Sequence, residues 1–288
     1  MNTKYLLQKH IVRLLIFCSL STFISCQSNI DPDLIHATKQ KDFSSLFQAI
    51  QRGAKVDTTD SNGNTPLMWA SSLGYKGFVS HLLNSGASLN AQNAMGETPL
   101  SLAAWNGHHK LLKLLINKKV DVNTKNKDGV TPLMLCACFG HEKCVDVLLK
   151  GGANVNCLSN EGSSALVYAC LNNHVEVARL LIKHHADINY RTRDGESLLI
   201  FAAIRGNLTI AKLLIERGLD VNAADKYGNT PLMTACRNRN LDMVKLLLNS
   251  KANPDLKDLN GETALVHAQR TGEKSIIDFF TNKKSSGY

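Results

Sequence analysis

The sequence has no glycine-rich phosphate loop, no cysteine set at metal-ligand spacing and no nucleophile elbow, so no residue set in it converges on a reaction. A strong excess of one charge is missing too. The formal net charge is +9, and Lys4, Lys9 and Arg13 supply three of those charges ahead of the first acid, Asp31. Without them, 30 basic residues face 24 acidic ones, a modest and dispersed excess that argues against nucleic acid as a partner. What is present in quantity is apolar residue, 44% of the chain, which suits an ordered protein rather than a disordered one.

Glycine recurs every 33 residues, at Gly63, Gly96, Gly129, Gly162, Gly195, Gly228 and Gly261, with no insertion between them. A fixed period of that size belongs to stacked repeats, in which each unit buries its apolar face only against its neighbours. A Thr-Pro-Leu phrase follows four of the seven glycines: Asn64-Thr65-Pro66-Leu67-Met68, Glu97-Thr98-Pro99-Leu100-Ser101, Val130-Thr131-Pro132-Leu133-Met134 and Asn229-Thr230-Pro231-Leu232-Met233. Threonine is a helix N-cap and proline suits the first turn, where a backbone donor is spare. Small residues at Ala70, Ala103, Ala137, Ala169, Ala202, Ala235 and Ala268 let helices approach, and Gly74, Gly107, Gly140 and Gly206 turn the chain into a second, leucine-rich helix.

These residues resemble the ankyrin repeat. The resemblance implies an all-α repeat solenoid, an ankyrin stack of helix-turn-helix units with β-hairpin loops. Seven repeats are expected over residues 58–282, after a degenerate capping repeat over 34–57 and before a polar tail at 283–288. The outward face of the cap is assigned Lys39, Gln40, Lys41 and Gln48. The sequence departs from the family at three kinds of position. The histidine after Thr-Pro-Leu is replaced throughout, so its hydrogen bonds are expected to be absent. Proline gives way to Ala165, Leu198 and Ala264, and a turn glycine to Lys119, His185 and Lys251. Left-handed backbone at those last three costs on the order of 1–2 kcal/mol each.

Residues 1–25 read as a signal peptide: a basic start, then an uncharged and mostly apolar run of 12 residues from Leu14 to Ser25, too short to span a bilayer. No alanine precedes Ala37, so the usual small-residue cleavage pattern is missing. Phe23-Ile24-Ser25-Cys26 instead resembles a bacterial lipobox, although Phe23 replaces the usual leucine. The resemblance implies lipidation at Cys26, with residues 26–33 as a linker; an uncleaved anchor or a misplaced start is the alternative. Gln27 is not the aspartate that often retains such lipoproteins in the inner membrane. The expected location is the outer membrane of a bacterial envelope, facing the periplasm.

His108, His141 and His174 sit just after the helix turn, where histidine is ordinary in the family, so no metal or other cofactor is expected. Of the cysteines beyond Cys26, Cys136, Cys170 and Cys236 occupy alanine positions and Cys144 an aliphatic one, which burial explains. Cys138 and Cys157 complete the set. A Cys136–Cys170 disulfide is compatible with the sequence, but spacing alone sets no pairing.

Ankyrin proteins usually contact partners through the hairpin tips and the exposed face of the first helices. Those positions yield the candidate groove: Trp105, Phe139, Leu171, Ile204, Arg205, Arg237 and Arg270, with Met95 and Tyr227 on the hairpins. An apolar strip rimmed by charge is the mark of a protein interface, and Trp and Arg are frequent anchors. The expected function is a noncatalytic scaffold, a monomeric domain lipid-anchored to a membrane, that binds a protein partner in this groove. Three alternatives stay open: an immunity or inhibitor protein against a toxic enzyme, a redox or peroxide-stress accessory protein, and a secreted host-directed effector.

Overall fold

The computed structural model of the chain describes residues 30–285, so the expected signal peptide and Cys26 lie outside the described residues. Among the described residues, sixteen helices occur as eight pairs. The cap is α1 (Ile30–Lys39) and α2 (Phe43–Gln51). Repeats one to three are α3 (Pro66–Ser72) with α4 (Lys76–Asn84), α5 (Pro99–Trp105) with α6 (His109–Asn117), and α7 (Pro132–Phe139) with α8 (Glu142–Lys150). Repeats four and five are α9 (Ala165–Leu171) with α10 (Val175–Lys183) and α11 (Leu198–Arg205) with α12 (Leu208–Glu216). Repeats six and seven are α13 (Pro231–Arg237) with α14 (Leu241–Asn249) and α15 (Ala264–Thr271) with α16 (Lys274–Ser285). The last helix therefore runs three residues into the segment assigned to the polar tail.

Each first helix starts where the sequence places it. Thr65, Thr98, Thr131 and Thr230 cap their helices through side-chain oxygens that accept the N–H three residues on, with proline next in line. Ser164 and Ser197 do the same ahead of Ala165 and Leu198. Thr263 makes no such bond, so repeat seven lacks both proline and side-chain cap. The expected loss of the histidine bonds is only partly observed. The N–H groups of Thr65, Thr131 and Thr230 donate to the sulfurs of Met68, Met134 and Met233 at 3.4 Å, and that of Thr98 to Ser101 Oγ at 2.8 Å. A thioether is a weak acceptor but satisfies a buried donor that Val or Ile leaves to others.

The helices form two layers, first helices against first and second against second, with the first helices closer together, so the stack curves around them. Between the layers runs one continuous core. All seven small positions from Ala70 to Ala268 are fully buried, as are Leu115, Leu148, Leu181, Leu214 and Leu247 on the second helices. The ends close with Leu34 and Leu46 in the cap and Ile276 and Phe280 in α16. Lys39 is not simply outward: its ammonium lies 4.0 Å above the Trp69 ring and 3.8 Å from Asp60, tying the cap to repeat one.

Successive hairpin loops are linked mostly by single backbone bonds, such as Ala94 N–H to the Asn62 carbonyl (2.9 Å) and Leu259 N–H to that of Tyr227 (2.9 Å). One bond per step builds no ladder, and among the described residues the only bridge is Arg191 with Ser197. The tip glycine is required for two reasons. At Gly228 φ is +78°, and a Cβ there would lie 2.9 Å from Asp258 Cα. Lys119, His185 and Lys251 do adopt positive φ, at 62°, 65° and 66°, as do Asn173 and Arg239 at the turn between helices. No helix among the described residues is long and apolar enough to cross a membrane.

Candidate protein-binding groove

The groove positions follow from the repeat geometry. Each first helix ends with two side chains beyond its buried small residues, and the turn then diverts the chain outward. In repeats two and three these positions hold Trp105 and Phe139, whose rings stack at 5.9 Å with planes 14° apart. His141 lies 6.1 Å beyond Phe139, and its Nε2 is 2.8 Å from the Trp105 carbonyl. His108 and His174 meet the carbonyls of Ser72 and Cys138 in the same way, at 2.9 and 3.0 Å. Each ring joins one repeat to the helix end of the one before. These histidines hold the seam rather than offer a ligand set.

Phe139 keeps 37% of its surface exposed although it is stacked, and Ile204 continues the apolar strip in repeat five. Leu171 departs from the expected pattern: it is half-buried and packs on the core, because the strip dips at repeat four. Arg205 and Arg237 are exposed and form no ion pair among the described residues. Arg270 is different. It pairs with Glu262, so it is already neutralised and is not a free anchor. Met95, 41% exposed, sits at the hairpin tip of repeat two. Tyr227, 53% exposed, lies beneath the Lys226 ammonium, 5.0 Å from its ring centre.

The nine groove candidates thus do not form one patch. Trp105 and Phe139 make an aromatic cluster, while Tyr227, Arg237 and Arg270 line an open cavity of about 610 Å³ between repeats six and seven. That cavity also contains Leu259, 76% exposed, which the sequence reading did not single out. Its signal was available: it stands two residues before a tip glycine, a position that is polar or small in the other repeats.

Asp258, Glu262 and His267 at the cavity floor present ligand atoms within 4.8 Å of one another, the geometry of a metal site. Their bonds are already taken. Asp258 Oδ1 accepts the N–H groups of Asn260 and Glu262, its Oδ2 lies 2.9 Å from His267 Nε2, and Glu262 holds Arg270. In repeat one the same bond joins Asp60 to Trp69 Nε1 at 2.9 Å, where no metal can bind indole. The triad is a hairpin-to-helix brace. Burial pushes the Asp258 carboxyl up, but the Glu262 and Asn260 N–H groups and His267 outweigh it and hold it below the usual carboxylate range.

Cys136, Cys138, Cys144, Cys157, Cys170 and Cys236 are free thiols, so the structure contains no Cys136–Cys170 bridge. Cys136 instead donates its Sγ–H to the Ala104 carbonyl of the preceding repeat, at 3.4 Å. Burial raises Cys136 well above the ordinary thiol range and pushes Cys170 and Cys236 up to about 12. Thiols so protonated are poor nucleophiles.

A family described as Ankyrin repeats (3 copies) matches the chain three times, over residues 34–126, 111–192 and 185–258. The chain belongs to the ankyrin repeat family. Ankyrin repeats are a protein–protein interaction scaffold, and the curved face described above is a surface of that kind. A search of curated proteins returned no match. Among solved structures, the ankyrin repeat domain of Bcl-3, a member of the IkappaB protein family, superimposes with a TM-score of 0.69 at 27% identity. The match covers 77% of this chain and 100% of that one.

Proposed function

We propose that this ankyrin protein is a noncatalytic scaffold, held by a lipid on Cys26 at the periplasmic face of a bacterial outer membrane. Its groove receives an extended partner segment that is apolar at one end and acidic at the other. The observation that carries the reading is the order of side chains along the groove: a stack of half-buried Trp105 and exposed Phe139, then Ile204, then Arg205 and Arg237, which form no ion pair among the described residues. Solvent-facing positions in a repeat carry no folding requirement for a stacked aromatic pair. Large rigid rings at an exposed centre supply binding energy at low entropic cost. Arginine then selects carboxylates by paired donors.

The test is crosslinked capture from envelope extract with two baits, the intact stack and a Trp105→Asp, Ile204→Asp double variant. A protein retained by the intact groove alone supports the reading. Equal retention by both baits, or by neither, removes the groove as the site. The anchor is tested separately: radiolabelled palmitate enters the wild-type chain and not Cys26→Ser.

A further inference from the structure

The outer layer of second helices changes its charge along the stack. α2, α4 and α6 carry no Asp or Glu, whereas α8, α10, α12, α14 and α16 each carry at least one. Residues 61–120 contain five lysines and a single acid, Glu97, which is bonded to Asn93 in the hairpin. Four of those lysines, Lys76, Lys110, Lys113 and Lys118, line one open cleft of about 510 Å³ on α4, α6 and the α6 C-terminus. All four are exposed, and none forms an ion pair among the described residues. Further along, acids enter the outer face and pair with some of its cations, as in Lys150–Asp146 (2.7 Å) and Arg179–Glu176 (3.4 Å). Converging like charges repel one another, and a polyanion relieves that repulsion.

Beside the cleft, α2 exposes two aromatic rings, Phe43 at 44% and Phe47 at 41%. They are not loose: Phe43 packs edge-on against Phe78 of α4 at 5.2 Å, and both rings lie 5.4 Å from His81. Fixed aromatics next to unpaired lysines match the chemistry of a bilayer interface, where rings enter the headgroup region and ammonium groups meet lipid phosphates. Position agrees with composition. Ile30 opens α1 four residues after Cys26, a distance the chain spans with at most about 14 Å. A lipid on Cys26 therefore brings the bilayer to the cap end, where this face lies.

We infer that the outer face of the cap and the first two repeats docks on an anionic phospholipid bilayer. Phe43 and Phe47 enter the headgroup region and the four lysines contact lipid phosphates. The stack then lies back-first on the membrane, and its groove is turned toward the aqueous side. The orientation rests on the Cys26 anchor proposed above. The lipid affinity of the face does not, which allows the two to be tested apart.

The experiment uses the chain from Gln27 onward without an acyl group, since the buried core from Leu34 to Phe280 lies wholly inside it. Binding is measured by cosedimentation with phosphatidylcholine vesicles, with and without phosphatidylglycerol, at low and high salt. The protein is expected to sediment with the anionic vesicles only and to be released by salt. Lys110→Glu with Lys113→Glu lowers that affinity roughly tenfold or more. Lys183→Glu with Lys212→Glu, the same charge change on later outer helices, leaves it within about twofold, and circular dichroism checks that both variants are folded. Absence of vesicle binding, equal binding to neutral vesicles, or equal loss in both charge reversals would overturn the inference. A failure of palmitate labelling at Cys26 leaves these readouts untouched and removes only the anchor.

Discussion

Repeats two and three face the groove with stacked rings, whereas repeats six and seven face it with arginines, a carboxylate and a buried histidine–aspartate brace. Both regions stand on the same scaffold of capped first helices and leucine-filled seams. The difference shows that the fold constrains the small and leucine positions and leaves the helix-end positions free. Chemistry at those free positions is therefore where a partner is read, and the two ends of the groove read it by different forces. One end offers apolar surface, insensitive to salt; the other offers charge, which salt screens.

The largest expected effect tests the shared scaffold. Leu115→Ala and Leu247→Ala, both at fully buried sites, should each cost about 2–5 kcal/mol in chemical denaturation. Similar losses at the two positions support one continuous core, and a cost confined to one end would break that picture. Next comes the brace. His267→Ala leaves the buried Asp258 carboxylate short of a partner and should cost about 1–3 kcal/mol. Phe139→Ala, at an exposed groove site, should cost less than about 1 kcal/mol while weakening partner binding.

Acid should separate the two ends further. The Asp258 pKa is lowered, so its contribution is present above the ordinary carboxylate range and is lost as pH falls through its folded value. Burial raises Glu97 in repeat two, so there the folded state takes up a proton more readily than the unfolded chain and gains stability as pH falls. Hydrogen exchange at acid pH should show protection failing in repeat seven before repeat two; simultaneous loss would contradict these assignments. The smallest effect concerns the thiols. Half-buried Cys138, in the groove next to the aromatic cluster, should react slowly with a thiol reagent and be shielded by a bound partner. Buried Cys236 should stay unreactive in both states.

Much of this was legible in the sequence, because a 33-residue period repeats the same local physics. Thr-Pro caps, alanine contacts and left-handed Lys119, His185 and Lys251 all lie where pattern and geometry place them. What pattern did not show is which side chains pair or pack together. Arg270 reads as a free cation until Glu262, eight residues back, is seen beside it. Leu171 reads as groove until its packing on the core is visible, and Met68 as a lost histidine until its sulfur accepts the Thr65 N–H. Each depends on a side-chain direction that a one-dimensional register does not carry.

The most direct test of the two-part groove is the affinity of the captured partner at low and high salt for three proteins: wild type, Trp105→Ala with Phe139→Ala, and Arg205→Glu with Arg237→Glu. The account predicts that the aromatic variant loses affinity at both salts with the salt dependence unchanged, while the arginine variant loses affinity at low salt and flattens that dependence. Wild-type affinity in both variants, or an identical salt dependence in all three, would contradict it.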